Sequence, residues 1–194
     1  GDDETGLVKC TANNLAFTHT FEPGSTMKAL SIAAAIESGS ILSYESHDIP
    51  VTLTYPIDDG ETFTIQDDGR WEERSYTASD ILIRSSNVGT ALIAAETEEH
   101  APGAVYDTMR RFGFGSVSGV DFPGESPGIL NPFLSTVALP TASYGQGVGA
   151  TSAQIIEAYN TLANGGVEVP LVVTTDAIGQ ASNCLLYTSD AADD

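Results

Sequence analysis

Phe21-Glu22-Pro23-Gly24-Ser25-Thr26-Met27-Lys28, followed by the apolar run Ala29 to Ile36, is the stretch on which the reading of this chain turns. Pro23-Gly24 is turn chemistry and the residues after it are dense in Ala, Leu, Ile and Met, so a turn opening onto a helix is expected, with Ser25 at its N-terminus. Lys28, three residues on, lies one turn along the same face, within reach of the serine hydroxyl. A nucleophile then stands beside a base. The positive end of the helix dipole favours an alkoxide on Ser25 and helps depress the pKa of Lys28, and a lysine freed of its proton can act as a general base. A serine serving only as N-cap would more naturally be followed three residues later by Glu or Gln; a lysine there opposes the dipole. The helix, running through Leu30, Ile32 and Ile36 towards Gly39 as its stop, is apolar almost all round and is expected to be buried.

Ser-x-x-Lys is a short pattern, and its meaning depends on its company. Ser85-Ser86-Asn87-Val88-Gly89, Phe112-Gly113-Phe114-Gly115, Phe122-Pro123-Gly124-Glu125, Tyr144-Gly145-Gln146-Gly147 and Leu162-Ala163-Asn164-Gly165-Gly166 follow it in that order. Together these stretches resemble the transpeptidase domain of class B penicillin-binding proteins, the cell-wall cross-linking enzymes of the division and elongation type. The resemblance covers about residues 12 to 175.

The resemblance implies an α+β fold of the serine transpeptidase and β-lactamase type, and an acyl-enzyme mechanism on Ser25. Lys28 takes the serine proton, Ser85 relays a proton to the departing D-alanine, and Asn87 orients the relay and the substrate amide. It also implies peptidoglycan stem peptides as substrate, β-lactams as inhibitors, division or elongation proteins as partners, and the extracytoplasmic face of the cytoplasmic membrane as location. No cofactor is called for. Taken alone, Ser85-Ser86-Asn87 reads as an ordinary polar turn between two helices. In extended conformation Ser85 and Asn87 would project to one side and Ser86 to the other. Ser-Ser-Asn in place of Ser-Asp-Asn disfavours a class A β-lactamase. A D,D-carboxypeptidase and a non-catalytic β-lactam sensor remain alternatives.

The third motif of the resemblance, Lys-Thr-Gly on a strand at the active-site edge, is absent: the only lysines are Lys9 and Lys28. The chain is therefore read as a fragment that ends before the main sheet strands, mostly helical with a small hairpin, and with any membrane anchor outside it. Residues 1–181 form the partial transpeptidase domain, and 182–194 read as a non-native tail resembling translated adapter sequence. Without the second oxyanion donor that follows Lys-Thr-Gly, the chain alone is expected to acylate slowly.

Composition is consistent with this reading. Against 27 acidic residues there are 7 basic ones, a formal charge of −20, which opposes binding to nucleic acid or an anionic membrane. His19, His47 and His100 show no metal-ligand spacing. Asp58-Asp59-Gly60 and Asp67-Asp68-Gly69 are turns without the ligand series of a calcium loop. Cys10 and Cys184 are too few to form a disulfide framework. Gly145-x-Gly147-x-x-Ala150 before a helix imitates a dinucleotide fingerprint, but Pro140 interrupts the strand such a site requires.

Local signals place the remaining elements. Leu15-Ala16-Phe17-Thr18 reads as a short strand, and 49–55 with 61–65 as a hairpin. Thr77-Ala78-Ser79-Asp80 opens a short helix to Arg84, Val88 to Glu99 is helical, and Pro102 starts a helix from Gly103 to Phe112. Residues 113–145 read as a long connection, Thr151-Ser152-Ala153-Gln154 as a capping box opening a helix to Gly165, and Val169 to Val173 as a strand.

Overall fold

A computed structural model describes residues 14–57, 60–69, 72, 74–120, 122–133 and 135–172. The predicted tail at 182–194, both cysteines, Lys9 and the Asp58-Asp59 turn lie outside the described residues. Helices α1 (Leu15–Thr18) and α2 (Lys28–Glu37) are followed by strands β1 (Ser46–Ile49), β2 (Thr52–Pro56), β3 (Thr62–Gln66) and β4 (Arg74–Thr77). Helices α3 (Ala78–Arg84), α4 (Asn87–His100), α5 (Ala104–Arg111), α6 (Ala138–Ser143) and α7 (Ser152–Ala163) complete the order.

Helix α2 is the spine. One of its faces contributes Leu30 and Ala34, with Met27 just before it, to a core shared with Ala94 of α4, Val105 and Met109 of α5, and Ala158 of α7. Its other face contributes Ile32 and Ala35 to a second core with Ile49, Ile65, Tyr76, Ile81, Val88 and Ile93. Burying residues on both sides accounts for the absence of a polar face, and each of the large aliphatic side chains contributes on the order of 2 kcal/mol of transfer free energy. Helix α4, which follows Ser86 directly, spans the same two cores and so fixes the Ser85 loop relative to α2.

The expected hairpin forms, with β2 and β3 antiparallel in the register Thr54 opposite Thr64. It is nested inside a second pair, β1 with β4, in which His47 faces Tyr76. Pro50-Val51 separates β1 from β2, so the stretch read as one strand from Ile49 is divided between two sheets.

Several local expectations are corrected. Leu15–Thr18 is one helical turn, not a strand: Asn14 Oδ1 caps the Ala16 amide at 3.1 Å and its carbonyl accepts from Phe17 and Thr18. A side-chain cap on one amide, together with the Asn14 carbonyl, outweighs β-propensity in so short a segment. Pro102 precedes α5 rather than opening it, because Gly103 at φ 86° turns the chain into the helix. Helix α6 lies within the stretch read as pure connection. Residues 169–172 carry no strand, and Val173 lies outside the described residues. The capping boxes at Thr77 with Asp80 and at Thr151 with Gln154 form as expected.

Candidate active site

Ser25 sits in a 3-10 turn, Gly24–Met27, that runs directly into α2 at Lys28. The helix therefore begins at the predicted place but opens in the tighter geometry, which puts Ser25 and Lys28 three residues apart on a three-residue turn, one above the other. The Ser25 amide lies in the first turn, where N–H groups have no intrahelical carbonyl.

The turn is held from the opposite side by Gly145. The Gly24 amide donates to the Gly145 carbonyl at 3.1 Å, and a Cβ on Gly145 would stand 2.1 Å from the Gly24 oxygen. Only glycine allows that approach, and its φ of 86° favours glycine as well. Glu22 Oε1 accepts from the Gly147 amide at 2.8 Å, and Phe21 bridges to Ala150. The glycines that imitated a dinucleotide fingerprint are thus used to dock the 144–150 segment against the Ser25 turn.

Lys28 is 2% exposed, among the most deeply buried side chains in the structure. Its amine donates to the Ser85 hydroxyl at 2.9 Å and to the Ser85 carbonyl. Ser85 Oγ in turn is hydrogen-bonded to Ser25 Oγ at 3.0 Å. The amine thus reaches Ser25 through Ser85 and not directly, a change from the expected contact between Ser25 and Lys28. Burial lowers the Lys28 pKa below the ordinary lysine range, and the nearby charges of Asp67 and then Asp68 oppose the shift.

Ser85 adopts the left-handed conformation, φ 53° and ψ 44°, as the C-cap of α3. Among described residues other than glycine it alone has positive φ. The extended geometry expected for Ser85-Ser86-Asn87 does not occur; a left-handed residue between two helices aims the Ser85 hydroxyl at Ser25 instead, and such a conformation persists only where its surroundings hold it. Ser86, fully buried, caps α4 by accepting from the Gly89 amide at 2.8 Å and donates to Asp67 Oδ2 at 2.6 Å. Asp67 Oδ1 accepts from the amides of Asn87 and Val88, the latter at 3.1 Å.

Asn87 is the first residue of α4, and its Nδ2 donates to the Gln66 carbonyl at 3.3 Å. A cavity of about 340 Å³ opens over these groups, lined by Gly24, Ser25, Asp68, Arg84, Ser85, Asn87, Tyr144 and Gln146. All of the predicted site residues except buried Lys28 line it, and Lys28 reaches it through Ser85. Sequence reading missed Asp67, which looked like turn chemistry, and gave no role to Arg84. The pairing of Asp67 with Ser86 crosses 19 positions and leaves no periodic trace in the sequence.

The sequence profile of the penicillin binding protein transpeptidase domain matches residues 2–190. The chain belongs to the penicillin-binding protein transpeptidase family. Among relatives, a probable peptidoglycan D,D-transpeptidase, PbpC, of Pseudomonas aeruginosa is 35% identical over 166 residues, which are 84% of this chain and 28% of that protein. Penicillin-binding protein PbpB of Mycobacterium tuberculosis is 34% identical over 161 residues, 81% of this chain and 22% of that protein. The chain thus spans about a quarter of the length of these relatives. The crystal structure of penicillin binding protein 3 from Mycobacterium tuberculosis, complexed with aztreonam, superposes with a TM-score of 0.73 at 32% identity. That match covers 88% of this chain and 37% of the other. The serine transpeptidase fold of the family therefore holds here, in a part that is mostly helical with small antiparallel pairs, as expected.

Proposed function

We propose that this domain is part of a peptidoglycan D,D-transpeptidase that works through an acyl-enzyme on Ser25. The observation that carries the reading is the continuous chain of hydrogen bonds from Lys28 Nζ through Ser85 Oγ to Ser25 Oγ. With Lys28 neutral, the chain can run in reverse: Ser25 gives its proton to Ser85 as Ser85 gives its own to the amine. Ser25 Oγ then bonds to the carbonyl carbon of the penultimate D-alanine. The tetrahedral intermediate collapses with cleavage of the C–N bond, and the proton held on Lys28 returns through Ser85 to the departing D-alanine nitrogen. An amine of a second stem peptide next attacks the ester, loses its proton to the same relay, and releases Ser25 with the cross-link made.

Asn87 lines the cavity with its Nδ2 anchored on the Gln66 carbonyl, and the rest of its side-chain amide can meet the bound peptide. The Ser25 N–H, at the positive end of the turn, faces the developing oxyanion. A β-lactam meets the same nucleophile, but its leaving nitrogen stays tethered to the acyl group. The names of the Pseudomonas and Mycobacterium relatives, and the aztreonam complex of one of them, support the reading. Such a reaction takes place on the extracytoplasmic face of the cytoplasmic membrane, beside division or elongation proteins. Among the described residues no helix is long and apolar enough to cross a membrane.

The deciding experiment gives the full-length gene product a pair of stem peptides, donor and acceptor. Cross-linked product with an intermediate 18 mass units lighter than the sum of enzyme and released acyl acid, mapped to Ser25, is expected from the loss of one water equivalent in ester formation. Donor hydrolysis without cross-linking would make the protein a carboxypeptidase, and acylation by penicillin without turnover of peptide would make it a sensor.

A further inference from the structure

Arg84 lines the same cavity as Ser25, immediately before Ser85 in sequence, and the relay does not use it. Each of the other cations in the described residues is engaged. Lys28 is buried on Ser85, Arg74 lies 3.4 Å from Glu72, Arg110 donates to the Gly115 carbonyl, and Arg111 pairs with Glu37. Arg84 is exposed, and among the described residues no carboxylate or carbonyl accepts a hydrogen bond from it. Its guanidinium is held in place all the same. It stands 5.2 Å from the centroid of the Tyr76 ring, and Asp80 lies one helical turn before it on α3.

A guanidinium laid over an aromatic face keeps its planar fork of N–H donors available, and that fork matches a carboxylate with two parallel hydrogen bonds. The surroundings make this position unusual. The chain carries a formal charge of −20, which repels anions in general, and Asp68 on the same cavity repels them locally. An anionic group entering the cavity is therefore directed to the Arg84 side, with its uncharged or cationic parts towards Asp68.

We propose that Arg84 is a substrate-binding residue that takes a carboxylate of the peptide at the mouth of the Ser25 cavity. This rests on the peptide-substrate reading of the site above, and it adds a selectivity: an acidic peptide is preferred to its amide. The carboxylate could be the peptide's C-terminal one or one on an internal residue, and amidating each in turn tells them apart.

The test uses the full-length gene product carrying Ser25→Ala, so that binding is read without acylation. Three peptides ending in D-alanyl-D-alanine are titrated by calorimetry at low and high salt: one with every carboxylate free, one amidated at its C-terminus and one amidated internally. Arg84→Gln is expected to weaken the free peptide about fivefold to tenfold, the size of one charge-assisted pair in a half-open cavity, and to flatten its salt dependence. It should leave unchanged the peptide whose relevant carboxylate is amidated, and Arg84→Lys should recover part of the loss. Equal weakening of all three peptides would mean that Arg84 only supports Tyr76, and no weakening, or no binding of any peptide, would equally overturn the proposal. A penicillin adduct on the unmodified Ser25 protein is read separately. An adduct without the charge effect removes this inference and leaves the acyl-enzyme reading, whereas the charge effect without an adduct does the reverse.

Discussion

Asp67 Oδ2 accepts a hydrogen bond from the buried Ser86 hydroxyl at 2.6 Å, and this contact ties the loop that carries Ser85 to the end of β3. The other oxygen of the same carboxylate receives the first two amides of α4. One side chain therefore caps a helix, holds a left-handed serine in place and puts a negative charge near Lys28. Asp67→Ala leaves the buried Ser86 hydroxyl and Val88 amide, and the part-buried Asn87 amide, unpaired, and a cost of roughly 3 kcal/mol is expected from the usual penalty for such groups. Urea unfolding measures it, and amide hydrogen exchange at Asn87 and Val88 should accelerate with it. With the Asp67 charge gone, the Lys28 pKa should fall further. A stability change under about 0.5 kcal/mol, the scatter of ordinary surface substitutions, would show that the loop is held by other means.

Gly145→Ala is expected to damage the nucleophile turn from behind. Its Cβ would meet the Gly24 backbone at 2.1 Å, and backbone cannot move aside as a side-chain tip does. Steric strain together with the positive φ makes a loss of about 3 kcal/mol the expected scale, accompanied by loss of penicillin labelling at Ser25. Labelling at the unmodified rate would mean that the contact between Gly24 and Gly145 does not set the turn.

Much of this was legible in the sequence because it was local. The Ser25 turn, the apolar helix after it, the hairpin and two capping boxes all rest on neighbours within a few residues. What was not legible depends on pairs remote in the chain. The left-handed Ser85 stands between the end of α3 and a Ser86 that is tied to Asp67, and no propensity rule places that conformation on a serine. The one-turn helix at Leu15 depends on a single Asn14 cap, and the second pair of strands on His47 meeting Tyr76 across the hairpin. The structure brings the four named residues together, Ser25, Ser85 and Asn87 on one cavity and Lys28 behind Ser85, but the order of their hydrogen bonds was not legible, since Lys28 was expected to touch Ser25 and instead touches Ser85.

Stability should fall with rising pH through one buried acid. Glu157, on the inner face of α7, is 5% exposed, and its Oε1 has no hydrogen-bond partner. Burial first, then the charges of Glu168 and Glu125, push its pKa up to about 7, while a hydrogen bond from the Leu171 backbone works the other way. The unfolded chain releases this proton near the ordinary glutamate value of 4.5, so the folded state holds more protons between the two values. The penalty is absent below 4.5, grows as pH rises, and is complete above about 7. Glu157→Gln should therefore raise the melting temperature at pH 8 more than at pH 5. An equal effect at both would mean that Glu157 ionises freely in the folded state.

The 194 residues contain no Lys-Thr-Gly, so the chain by itself should label with fluorescent penicillin far more slowly than the full-length gene product. Losing one oxyanion donor costs about 2.7 to 4 kcal/mol, a factor of roughly a hundred to a thousand in rate. Comparable Ser25-dependent labelling of the two would show that the second donor lies within these residues.

The relay itself is tested most directly by the second-order rate constant for penicillin acylation of Ser25 in the full-length gene product, compared between the unmodified protein and Ser85→Ala across pH. If Ser85 carries the proton from Ser25 to Lys28, its removal should slow acylation by about a hundredfold or more, the usual contribution of a positioned proton-transfer group. The rise in rate as Lys28 loses its proton, below the ordinary lysine range, should disappear with it. A Ser85→Ala protein that acylates within about threefold of the unmodified rate, with the same pH dependence, would contradict the relay, because so small a loss is far below what general base catalysis provides.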